Sequence, residues 1–207
     1  MPGSNNQVEN LSRMTAILSG NWKASVLAQS LWEFFNYELY CTVRDDDDKP
    51  NRHRIDGIID ANTIGDVRIC ISLRRNARRE EGLVHELLHA NLIPLGYPRF
   101  WIDEERGSDK WILAGGITNI ADHEAMRPIY LSFGYSADRF LGPSRPLNDL
   151  EERVRANFER KASDLLTPVR YSAQVSACLK KHGIKFRAIN LASLILKKKE
   201  IQTERRS

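Results

Sequence analysis

Apolar positions along this chain change period several times, and each change marks an expected element. From Trp22 to Tyr37 they recur at helical spacing, at Val26, Leu27, Leu31, Phe34 and Phe35, with Asn21 placed to cap the start. From Glu38 to Arg44 the pattern switches to alternation, with Leu39, Cys41 and Val43 on one side, which predicts a strand. His53–Ala61 and Asp66–Arg74 read as two strands joined in a hairpin around Asn62-Thr63-Ile64-Gly65. Val67, Ile69, Ile71 and Leu73 alternate strictly in the second of them. A helix follows over Ala77–Leu92, and Pro94 and Gly96 end it.

Beyond that helix the pattern is less regular. Tyr97–Lys110 reads as a charged loop bearing Phe100-Trp101, and Trp111–Ile117 as an apolar stretch with a turn at Gly115-Gly116. A second helix is predicted over Thr118–Arg127, interrupted near Pro128 and continuing to Phe133. Leu147–Leu166 is amphipathic, with Leu150, Val154 and Phe158 inward. Pro168 opens another helix, and Arg187–Glu200 is the last. The residues before Asn21 read as polar and irregular. Asp45-Asp46-Asp47-Asp48-Lys49-Pro50 is an exposed loop, because like charges repel and its aspartates lack the alternating spacing and glycine of a calcium loop.

This order of elements predicts an α+β fold: a small mixed or antiparallel sheet packed on the Ala77–Leu92 helix, with additional C-terminal helices. The expected organisation is a flexible N-terminus over 1–20, a catalytic domain over 21–166, and a helical extension with a basic tail over 167–207. No apolar run reaches the roughly 18–20 residues that span a bilayer. No charged stretch followed by an apolar core opens the chain, so no secretory signal is expected. Cys41, Cys70 and Cys178 are odd in number, widely spaced and form no Cys-x-x-Cys pair. They read as reduced thiols in a cytoplasmic protein, with no structural zinc ribbon.

The charge is uneven. The net charge is +4, yet Leu179–Ser207 carries nine Lys or Arg against two Glu, which leaves the first 178 residues at −3. A tail of this kind attracts nucleic acid or acidic surfaces. Lys197-Lys198-Lys199 has no interleaved aromatics for stacking on bases, so a solvated helix is the favoured reading and nucleic-acid binding is not.

Candidate chemistry sits on the Ala77–Leu92 helix, in His85-Glu86-Leu87-Leu88-His89. Residues four apart share a helix face, so the two imidazoles can grip one ion, while Glu86 can reach a water on that ion without being a ligand. The flanks are apolar enough to bury the helix. Burying His, Glu and His together gains nothing unless they are paired or metal-bound.

A catalytic zinc site takes three protein ligands and leaves one position for water. Asp122-His123-Glu124 offers candidates for the third, with His123 preferred for its imidazole. Glu124 would make a two-histidine, one-glutamate site, and Asp122 is a further ligand candidate or an orienting group. His53 and His182 lack such a context. Tyr130, Tyr135, Arg127 and Arg139 are candidate donors to a developing oxyanion.

Through His85-Glu86-Leu87-Leu88-His89 and the downstream helix carrying His123, the chain resembles the zincin-like metallopeptidases, in particular small intracellular ones with a minimal sheet-plus-helix core. The resemblance covers Ile69–Gly134, about a third of the chain. The closely spaced third histidine of metzincins is absent, as is the cysteine ribbon of the SprT-like, DNA-linked proteases. The resemblance implies a mixed sheet, an active-site helix, bound Zn2+, and a peptide or protein substrate laid along an edge strand. The motif fixes an activated water and not its target. A non-peptide amidase or hydrolase, and a zinc-containing regulatory or nucleic-acid-associated module without turnover, are the alternative expectations.

Overall fold

A computed structural model of the chain describes residues 4–44, 69–74, 79–140, 152, 156 and 167–205. The aspartate loop, the His53–Ala61 strand with its hairpin turn, and nearly all of the Leu147–Leu166 helix lie outside the described residues. The described elements are, in order, α1 (Ser4–Ile17), α2 (Trp22–Phe34), β1 (Leu39–Arg44), β2 (Ile69–Arg74), α3 (Arg79–Asn91) and β3 (Arg99–Ile102). Then come α4 (Asp109–Ser132), α5 (Ala137–Phe140), α6 (Pro168–Lys181), β4 (Phe186–Ile189) and α7 (Leu191–Glu204). The protein is α+β, as the alternating periods predicted.

The chain divides into two compact units. The first comprises Met1–Asn91, Phe133–Tyr135 and Leu194–Ser207, and the second Leu92–Ser132 and Ser136–Ser193. In the first, α1 packs on α2, α3 and β1, α2 packs on α3, and α3 packs on β2. β1 and β2 pair in parallel, with Leu39 opposite Ile69 and Val43 opposite Leu73.

Asn21 caps α2 as expected: its side-chain oxygen accepts from the Ala24 N–H at 3.2 Å, and its amide donates to the Phe133 carbonyl at 2.9 Å. The stretch read as irregular before Asn21 is the helix α1. Met14 and Leu18, four apart, are fully buried, and that packing outweighs the polar composition around them. The alternating residues Leu39, Cys41, Ile69, Ile71 and Leu73 are likewise buried, as are Leu83, Val84, Leu87 and Leu88 of α3.

In the second unit α4 packs on β3, α5 and α6, and β3 pairs antiparallel with β4, Phe100 lying opposite Ala188. Three expectations are corrected here. Arg99–Ile102, read within a loop, is a strand. Phe186–Ile189, read partly as the start of the last helix, is its partner, and α7 begins only at Leu191. α4 runs unbroken through Gly115-Gly116 and Pro128. Two mid-helix glycines cost about 1 kcal/mol each and a proline about 3 kcal/mol. Burial of Ala114, Ile117, Ile120, Ala121, Ala125, Met126 and Tyr130 along one helix offsets that cost. No helix among the described residues is long and apolar enough to cross a membrane.

Candidate metal centre

α3 opens with Glu80 and Glu81, whose charges suit the positive end of a helix. Leu83, Val84, Leu87, Leu88 and Ala90 bury most of its circumference, which leaves His85 and His89 half-buried on the remaining face. Their ring centroids are 5.0 Å apart at 70°, the separation that i and i+4 positions impose.

Glu86 stands apart from them in its environment. It is 7% exposed, and its Oε2 has no hydrogen-bond partner among the described residues. Burial pushes its carboxyl up to about 8. An orphaned carboxylate oxygen in an apolar setting is costly, and such atoms are rare unless a further group or a function answers them. A carboxyl held near neutral pH can both take and return a proton under physiological conditions.

His123 lies on α4, half-buried, with its ring against Phe140 at 5.4 Å and 71°. Phe140 in turn meets the Tyr130 ring at 4.9 Å. His85 and His89 in the first unit and His123 in the second each offer an imidazole nitrogen as a ligand atom. Imidazole nitrogens suit Zn2+, which favours nitrogen donors in a tetrahedron and keeps its fourth position for water in catalytic sites.

Asp122, weighed as a ligand from the sequence, is committed elsewhere. It is buried, its Oδ2 accepts from Arg99 Nη1 at 2.8 Å, and its Oδ1 accepts a short hydrogen bond from the Tyr171 hydroxyl. Burial and the adjacent carboxylate hold Tyr171 well above its usual range, so the phenol keeps its proton and donates. Glu124 is half-buried beside His123.

Arg99 and Tyr171 carried no sequence signal. They lie 23 and 49 positions from Asp122, and only the fold unites them.

The candidate oxyanion donors separate as well. The Tyr135 hydroxyl donates to Glu80 Oε1 at 2.6 Å, so it is spent on the first turn of α3. Tyr130 is fully buried, while Arg127 and Arg139 are exposed. His182 caps α6 through its backbone, and His53 lies outside the described residues. In the basic tail, Lys199 donates to the Glu33 carbonyl at 3.1 Å and sits 5.3 Å from the centroid of the Phe34 ring. One of the tail's lysines is thus held at the C-terminal carbonyls of α2, where a cation offsets the helix dipole. No protein-family model, curated protein or solved structure matches the chain.

Proposed function

We propose that this protein is a zinc-dependent hydrolase, a metallopeptidase, with His85, His89 and His123 as zinc ligands and Glu86 as general base. The observation that carries the reading is the pairing of two imidazoles on one face of α3 with a buried carboxyl on the same helix. A purely structural zinc site has no use for such a base. A bound Zn2+ would lower the pKa of a water from about 15.7 towards 7 and polarise a substrate carbonyl. Glu86 then accepts the proton of the attacking water and returns it to the leaving amine. In the metal-free protein its apolar surroundings raise the carboxyl to about 8, and a bound dication would favour the ionised form that accepts the proton.

A peptide substrate follows from the resemblance of the motif and its helix, and not from any pocket. The test is cleavage of a mixed peptide library, read by mass spectrometry, with the zinc-loaded protein, the chelated protein and the reconstituted protein. Cleavage that chelation abolishes and zinc restores supports the peptidase reading. Chelator-insensitive cleavage contradicts the metal-based mechanism. Zinc-dependent hydrolysis confined to non-peptide amides or esters would keep the mechanism and replace the substrate class.

A further inference from the structure

Asp122 is an expensive residue to bury. A carboxylate removed from water is stabilised only if its partners are well placed, and an apolar residue of similar size usually gives equal or greater stability. The chain nonetheless places Asp122 at 4% exposure, with Arg99 of β3 donating to one of its oxygens and Tyr171 of α6 to the other. Aromatic rings surround Tyr171. Its ring meets Tyr97 edge-on at 4.9 Å and Phe100 at 6.1 Å, and Phe100 also meets Phe186 of β4.

α4 has a local weakness at the same point. Pro128 lacks an N–H, so the carbonyl four residues earlier, that of Glu124, loses its intrahelical donor, and the proline ring crowds it. The turn carrying Asp122, His123 and Glu124 is therefore less constrained by the helix ladder than its neighbours. Adjacent residues on a helix differ by about 100° in direction. Pinning the Asp122 carboxylate towards β3 and α6 thereby sets the direction of His123, and Phe140 braces the His123 ring from another side.

We infer that Arg99 and Tyr171 are positioning residues: through Asp122 they fix the rotation of α4, and so hold His123 ready for metal before any metal arrives. This rests on the proposal that His123 is a zinc ligand. The role belongs to specificity of geometry more than to stability. An imidazole already aimed loses less freedom on binding than one that must be ordered.

The experiment measures zinc affinity by competition with a chromophoric chelator in the folded protein, alongside melting of the metal-free protein. The variants are Tyr171→Phe, which removes only a hydroxyl, Arg99→Met and Arg99→Lys. Tyr171→Phe and Arg99→Met are expected to weaken zinc binding about 10- to 100-fold, as loss of groups that orient metal ligands does. Arg99→Lys is expected to recover part of the loss by retaining the charge. Variants that melt earlier yet bind zinc with unchanged affinity overturn the positioning role while leaving the site intact. A wild-type protein that binds no zinc overturns the site itself, and the positioning role with it.

Discussion

Glu86→Gln is expected to lower turnover by about 10²- to 10⁴-fold, the usual contribution of a positioned general base, while zinc content stays that of the wild type. Glutamine keeps the shape and polarity of the side chain but cannot accept the water proton at neutral pH. The same substitution has a second, independent signature in the metal-free protein. Burial raises the Glu86 carboxyl from 4.5 to about 8, so between these values the folded state binds more protons than the unfolded state. Folding stability from this group is complete below about pH 4.5 and declines as pH rises through about 8, by an amount on the order of a few kcal/mol.

Glutamine carries no such penalty. Metal-free Glu86→Gln should therefore melt above the wild type at pH 8, and the difference should shrink on acidification towards pH 4.5. A bound dication beside the carboxylate reverses the electrostatic balance, so the effect should be small in the loaded protein. Retained turnover in Glu86→Gln contradicts the assignment of the base. A stability gap that does not depend on pH contradicts the account of its burial.

Asp122→Ala carries the largest expected loss of stability. It removes the carboxylate that accepts from Arg99 Nη1 and from the Tyr171 hydroxyl, and removal of one member of a buried ion pair costs about 3–5 kcal/mol. For a protein of this size that corresponds to a fall in melting temperature of about 6–20 °C. Replacing all three partners with apolar residues of similar volume should be far milder, because no group is then left unsatisfied. Calorimetry of both variants checks the comparison. A single Asp122→Ala change that melts close to the wild type would mean that the Asp122 cluster is not the anchor of α4.

The parts of the fold legible in the sequence are those whose period is long and locally complete. α2 with its Asn21 cap, the strands at Leu39–Arg44 and Ile69–Arg74, and α3 all announce themselves through which residues are apolar. The pairing of β1 and β2 was not legible, since their partnership is parallel and its register depends on residues far apart in the chain. β3 and β4 are four residues each, too short to display a period, and each contains an arginine that reads as loop. Local propensity breaks α4 at Gly115-Gly116 and Pro128, whereas its continuity comes from burial along its length.

The candidate site divides the same way. His85, Glu86 and His89 lie within about 1.1 helical turns, so their shared placement is readable from spacing alone. His123 had to be chosen among neighbours by ligand chemistry. The commitment of Asp122 to Arg99 and Tyr171, which removes one alternative, exists only in three dimensions.

The central claim is that His85, His89 and His123 together hold one zinc ion. It is tested most directly by elemental analysis of the protein purified without chelator, run beside folded His85→Ala, His89→Ala, His123→Ala and Glu124→Ala variants. The account predicts about one zinc per chain in the wild type and in Glu124→Ala, and little or none in the three histidine variants. Zinc retained in His123→Ala but lost in Glu124→Ala would contradict the ligand set, and a wild-type protein that holds no metal would contradict the site.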